Sequence, residues 1–499
     1  MSLFLIAVLF AIAHIVLPMW LGDGVLRFFI RRTLPRALHL SIALGLGWSL
    51  YATTFSAIIF LRGSSQAAFL ITDFLLSALA FALNRIVSAR KTDHAVVAPT
   101  CAPEICKNTS STQPALNSSW VKFTWCMSVV MITLAMSYAF FNLMINPHGE
   151  GDASAIWNLH ARFLFRGGEY WQDGFTETLS WNHPDYPWLV PGLVVRGWHW
   201  AGQETTLVPI LISNIFFAVT IVLFWSALNF LRSSFTANLG TCVFLSASTW
   251  TGLARHQTGD LPLSFFYLLS AVILCLWLCD LLSDYLRSAM WLVPLGIALG
   301  GAAWTKNEGK LFALFVFIAV VWQSLRHVQR KSSSISHTLA LSVGFLPTAF
   351  AIILMKLNVE VGTDLITQPR ELLDKLFSFE RAWITTRSFG MRVLDSGQLL
   401  LLYYVIIVGL TSESVARRLG KIGLTLVAAT LGGYFTVYMI TPYPLQDHIN
   451  TSLDRLLLQL WPSFLFALFL VIKSPQEALA KPQNEGAATA IGTDSSSRV

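Results

Sequence analysis

Apolar runs about as long as a bilayer is thick recur along the whole chain, and this leaves few folds open to it. They cover residues 3–20, 39–61, 67–83, 121–145, 207–231, 236–253, 261–282, 339–357, 424–440 and 456–472. The stretch 290–323 is apolar except for TKNEGK at its middle, and 399–410 is a shorter run. A helix of about 20 such residues spans the hydrocarbon core. The expectation is an all-α integral membrane protein with about 13 transmembrane helices, 290–323 being two short helices that meet near Lys306. Of 499 residues, 55% are hydrophobic and 12% charged, which excludes an ordinary soluble domain.

The net charge of +7 reads as topology, because Lys and Arg cluster between the runs. Arg27, Arg31, Arg32 and Arg36, then Arg85, Arg90 and Lys91, then Arg326, Arg330 and Lys331, and Arg417, Arg418 and Lys421 mark the cytoplasmic side. The N-terminus is then outside, no leader being cleaved, and no nucleic-acid module is visible. The expected divisions are 1–91 (N-terminal helices), 92–120 (a flexible cytoplasmic linker rich in Ser, Thr and Pro), 121–357 (a core with its first outer loop at 146–203), 358–396 (a second outer loop), 397–473 (C-terminal helices) and 474–499 (a disordered cytoplasmic tail). Sequons at Asn108 and Asn117 fall in the linker and should stay unmodified. The six Cys show no metal spacing and read as inert.

Residues 188–200 decide the parity of everything downstream. A dozen apolar positions broken by Pro191, Arg196 and His199 are too few to span, so an interfacial amphipathic helix with its Trp residues at headgroup level is expected. Counting it as a span would put RHVQRK outside.

Acids and bases then collect on the outer side. Asp152 follows a helix exit in HGEGDASAIW, where a helix N-cap would serve as well as chemistry. In HPDYP two Pro fix the backbone on either side of Asp185, and His183 with Asp185 could grip a phosphate or a divalent cation; a Pro-rich turn leading to the interfacial helix competes. Asp260 in RHQTGDLP heads an apolar run beside Arg255 and His256, and again a cap competes. Lys306, Asn307 and Glu308 interrupt an apolar stretch, where ionisable groups are costly and suggest function. Arg455 enters the last run from outside, and snorkelling is its ordinary role.

In order, the Asp152 helix with its Gly-Gly turn, HPDYP, TGDLPLSFF and GGAAWTKNEG resemble the landmarks of GT-C glycosyltransferases, in particular the protein O-mannosyltransferase and aminoarabinose-transferase group with its bacterial members. The resemblance covers roughly 120–325. It implies transfer of a sugar from a polyprenyl-phosphate carrier to a lipid, glycan or protein acceptor on the outer face of a bacterial inner membrane, with inversion. Asp152 takes the place of the family's first-loop acid and Asp260 of its second. Many relatives carry a further acid directly after the first; here that position is Ala153, and Glu150 lies close enough to substitute. His183, Asp185, Arg255, Lys306 and Arg455 are then candidate phosphate contacts, and His183 with Asp185 a candidate metal pair. A carboxylate that takes the proton of a hydroxyl supplies about 100- to 10,000-fold. A lipid-linked oligosaccharide ligase or polymerase is the alternative, pointing to Arg370, Arg381, Arg387 and Arg392; a transporter or flippase fits less well, because no internal repeat is seen.

Overall fold

The computed structural model describes residues 2–30, 32–90, 118–283, 288–327, 331–359, 371–393, 396–474 and 477. The linker at 92–117 with its two sequons and two Cys, Arg31, Lys91, Arg287, Arg330, Arg370 and the tail beyond 477 lie outside the described residues.

Among the described residues the chain is helical and has no strand; a lone bridge joins Leu410 to Ile472. Ten helices among these residues are long and apolar enough to cross a membrane. They are α1 (Phe4–Phe29, with a π-helical turn at Ile12–Val16), α2 (Arg36–Arg62), α3 (Gln66–Arg90), α4 (Ser118–Ile145), α7 (Leu207–Leu231), α10 (Asp260–Ser283), α12 (Asn307–His327), α13 (Lys331–Asn358), α17 (Ser414–Ile440) and α18 (Leu445–Val471). Shorter helices fill the intervals: α5 (Asn158–Arg166), α6 (Leu189–Ala201), α8 (Ser234–Ser246), α9 (Ser248–His256), α11 (Leu292–Thr305), α14 (Leu372–Leu376), α15 (Phe379–Val393) and α16 (Ser396–Val408). The chain is an all-α integral membrane protein.

Lipid-facing surfaces are legible in the exposure pattern. On α13, Leu339, Val343, Leu346, Phe350, Ile353 and Leu357 stand exposed at helical spacing, a stripe that only hydrocarbon would cover without cost. α10 is the opposite case, buried on every side and packed by α18, α11, α7 and α2. It is the central post of the bundle, and Asp260 is its first residue.

α11 and α12 form the expected hairpin. Lys306 is extended between them, and Gly309 lies against the Ala302 carbonyl so tightly that no side chain would fit. At their far ends Ser288 and Ser324 both hydrogen-bond the His337 ring, at 3.1 and 3.0 Å, so the two helices return to one level. The groups expected inside also meet one another: Arg32 pairs with Asp280 at 2.9 Å, and Arg232 with Glu413 at 2.9 Å.

Four expectations differ from the structure. The run 236–253 is two helices, α8 and α9, because Ala247, set in a Ser/Thr-rich stretch whose hydroxyls compete for backbone groups, leaves the helical region. The run 399–410 is helical only as far as Val408, the end of α16, which is itself only 13 residues long. The outer loop expected between the last two spans is nearly absent: after the Thr441–Pro444 turn, α18 starts at Leu445 and carries the polar segment QDHINTSLDR as helix. Finally, α6 is a separate short helix, but Trp188 and Trp198 are buried in protein rather than at headgroup level. Its Arg196 is held by Asp73 at 2.7 Å and by the Ala13 carbonyl, and lies over the Tyr51 ring.

Candidate functional site

Four residues from distant parts of the sequence meet at the ends of these helices. Asp260 is 1% exposed, and its carboxylate accepts from Lys306 Nζ at 2.9 Å, Gln459 Nε2 at 2.6 Å and Thr258 Oγ1 at 2.9 Å. Arg455 lies 3.9 Å from its second oxygen and also pairs with Asp152. Lys306 continues to Glu308 at 3.1 Å. Burial works against the Lys306 ammonium, but the Asp260 and Glu308 carboxylates outweigh it and hold its pKa above the ordinary lysine range.

The parts differ in access. Asp152 is 44% exposed and Arg455 31%, whereas Lys306 and Asp260 are covered. Asp152 stands in the first turn of the helical stretch that opens at Gly151 and runs through the π turn Ala153–Trp157 into α5, and its side chain makes no cap bond, so the N-cap reading fails for it. Asp260 is engaged by side chains. Three carboxylates (Asp152, Asp260, Glu308) face two cations (Lys306, Arg455). The N-termini of α10 and α12 lie at this place, each with the partial positive charge of a helix dipole.

The local sequence explains the convergence. Gly149 has φ +72°, and a Cβ on it would come within 2.8 Å of the His256 carbonyl, so the glycine lets the Asp152 loop close onto the end of α9. There Glu150 pairs with Arg255 and His256, each at 3.1 Å. Burial pushes the His256 imidazole down from its usual value. Gly259 backs onto the Trp157 ring and the Lys306 stem, with space for no side chain.

HPDYP packs on the same hairpin. Asp185 is buried and accepts from Asn307 Nδ2 at 2.8 Å, next to Lys306. His183 takes a left-handed conformation and stacks on Tyr186, with ring centroids 4.7 Å apart. Burial holds the Tyr186 phenol above its usual range and the nearby His160 imidazole down at about 4, so both are neutral at pH 7. His183 and Asp185 offer two donors, one stacked and one hydrogen-bonded. Among the described residues no three His, Cys, Asp or Glu side chains are grouped to hold a metal ion. His183 and Asp185 are thus the two candidate ligands, and each already has a partner in Tyr186 or Asn307.

Of the residues singled out in the sequence, Asp152, Asp260, Lys306 and Arg455 share one cluster, with Asp185 joined through Asn307; Arg255 is one layer away on Glu150, and His183 is turned to Tyr186. Gln459 was missed. It donates to Asp260 and accepts from Tyr434, whose hydroxyl meets that of Tyr267 at 3.0 Å. Its sequence signal is position: it follows Arg455 by four residues, one helical turn on the same face. Compared with protein-family models, curated proteins and solved structures, the chain matches none.

Proposed function

We propose that this chain is a membrane glycosyltransferase that moves a sugar from a polyprenyl-phosphate carrier to an acceptor hydroxyl, with inversion, on the outer face of a bacterial inner membrane. The observation that carries this reading is the half-open Asp152–Arg455 pair above the buried Asp260–Lys306–Glu308 network, set where apolar helices end. Such a place suits a substrate whose tail stays in the bilayer and whose phosphate lies at its boundary. The short helices α11 and α16 and the broken α8–α9 bring the crossings in this reading to 13.

The reaction assigns one role to each group. The Asp152 carboxylate accepts the acceptor hydroxyl's proton as its oxygen bonds to the anomeric carbon. The bond from that carbon to the phosphate oxygen breaks, and polyprenyl phosphate leaves with the electron pair and a second negative charge. Arg455 donates to that phosphate, aided by the α10 and α12 N-termini. Lys306 is a weaker choice for the phosphate contact, because Asp260 and Glu308 already enclose its ammonium. Asp260, saturated with donors, is a positioning residue that keeps Arg455 and Lys306 in place. A transporter is the less favoured reading, because the sequence shows no internal repeat. Arg381 and Arg392, the late-loop arginines of the ligase reading, are engaged by backbone carbonyls and by Asp454.

The test is binding followed by turnover. Purified protein in nanodiscs should bind polyprenyl phosphate more tightly than uncharged polyprenol, and Arg455→Gln should weaken the phosphate alone, by about 10- to 100-fold for a lost charge-assisted hydrogen bond. Equal binding of both lipids by the unmodified protein would overturn the reading. The mass of the lipid-linked sugar that accumulates on deletion names the donor for the turnover assay.

A further inference from the structure

The second outer loop carries a helix that keeps large apolar side chains on its exposed face. On α15, Arg381, Thr385, Ser388 and Arg392 lie toward the protein together with Ile384 and Phe389, whereas Phe379 and Trp383 stand outward, 83% and 60% exposed, with Phe377 and Met391 exposed beside them and Glu380, Thr386 and Arg387 on the same side. A helix on a water-exposed surface turns its large apolar side chains inward.

The two inward arginines are well satisfied. Arg381 donates to the carbonyls of Met439 at 2.9 Å, Tyr438 at 3.0 Å and Thr441 at 3.2 Å, the final carbonyls of α17. A cation there satisfies groups that a helix end leaves open and complements its dipole. Arg392 pairs with Asp454, the residue before Arg455. α15 is therefore clamped across the junction of α17 and α18, where two membrane helices end, and beside the candidate site.

What covers the outward face follows from that place. The junction residue Tyr443 is itself exposed, as are Leu357 at the end of the α13 stripe and Tyr403, Ile406 and Ile407 on α16. The exposed aromatics of α15 thus belong to the same kind of surface as the lipid-facing helices. Exposed Arg387 follows Trp383 by one turn, the pairing of an interfacial Trp with a headgroup cation.

We propose that α14 and α15 form an interfacial strap whose Phe377, Phe379 and Trp383 insert at the headgroup–acyl boundary of the leaflet facing the site, with Arg387 among the lipid phosphates. The proposal rests on the membrane assignment and not on the reaction, so it stands or falls separately from glycosyl transfer.

The experiment uses the full chain in nanodiscs of phosphatidylcholine and phosphatidylglycerol. Its native cysteines are replaced by serine or alanine, and a nitroxide is attached to Phe379→Cys, to Trp383→Cys or, as an aqueous reference, to the exposed Gln446→Cys. At 379 and 383 collisions with oxygen should exceed those with a water-soluble nickel chelate, the reverse of 446. Chelate access equal to that at 446 would place the face in water and overturn the proposal. Low access to both reagents would mean a protein cover, such as a second copy, and would overturn it equally. Because a labelled variant could fold poorly, bromolipid quenching is measured on the unlabelled protein and on Trp383→Phe. The quenchable component lost with Trp383 should respond more to shallow than to deep bromines, and absence of that component refutes insertion.

Discussion

Two cations, Lys306 and Arg232, lie between paired carboxylates toward opposite ends of the bundle, and the contrast between them separates a site from a brace. Lys306 has Asp260 and Glu308 at 2.9 and 3.1 Å; Arg232 has Glu413 and Glu477 at 2.9 and 3.4 Å. Both clusters attach to the α18 segment, one at Gln459 and the other at the Ile472 carbonyl, about 20 Å further along. Arg232 also donates to Thr411, and its side chain is enclosed. Around it the Leu410–Ile472 bridge ties the start of α17 to the end of α18. At Lys306 the network continues outward through Asp260 to Arg455 and the half-open Asp152. Equal charge burial thus gives closure at one end and an accessible acid–base pair at the other.

The largest effect should be common to both. Lys306→Met and Arg232→Met each take from two carboxylates the cation that bridges them, although Asp260 keeps Arg455 at 3.9 Å, and each should cost about 3–5 kcal/mol in unfolding free energy. The comparison sharpens if folded Arg232→Met keeps its turnover per molecule while folded Lys306→Met does not. Tolerance of Lys306→Met would show that water already reaches the outer network, and the contrast in closure would be lost.

A smaller effect should separate the two ends. Asp152→Asn should lower turnover by at least about 100-fold, the low end of general-base contributions, with no change in the unfolding midpoint. Its exposure and lack of a cap bond are the reasons to expect stability to be unaffected. If the midpoint falls and turnover persists, Asp152 is a brace like Glu413.

Much of this was legible in the sequence, for a physical reason. Asp152, Asp260, Lys306 and Arg455 are charges beside or within apolar runs, and a charge there is costly enough to draw attention. Gln459 is uncharged within such a run, and only its spacing from Arg455 gives it away. The polar segment before Arg455 was expected as a loop, because polarity and helix breaking were treated alike; it is helical, since only Pro442 and Pro444 in that stretch disfavour helix and α18 extends past its apolar part. The burial of α6 was hidden too, because its covers, α5 and α2, come from elsewhere in the chain. The hairpin was legible because a single polar hexapeptide divides a long apolar stretch.

The smallest effect concerns pH at the closed end. Burial lifts the Glu413 carboxyl above its ordinary range, the Glu477 carboxylate adds to this, and Arg232 pulls against both without cancelling them. The folded protein therefore holds this proton more tightly than the unfolded chain does. The stability that Glu413 contributes is complete below the unfolded carboxylate value of about 4.3 and is lost as pH rises through the raised folded value. Unfolding midpoints measured in nanodiscs between about pH 4 and 8 should thus fall more steeply for the unmodified protein than for Glu413→Gln, which mimics the protonated form throughout. Arg232→Met should push the descent to higher pH, because the one group opposing the upward shift is gone. Equal slopes for the unmodified protein and Glu413→Gln would remove Glu413 as the titrating group. Turnover should not follow this curve, since the brace and the outer network lie about 20 Å apart along α18; if it does, the two ends are coupled along α18 and the closed cluster is part of the working machinery.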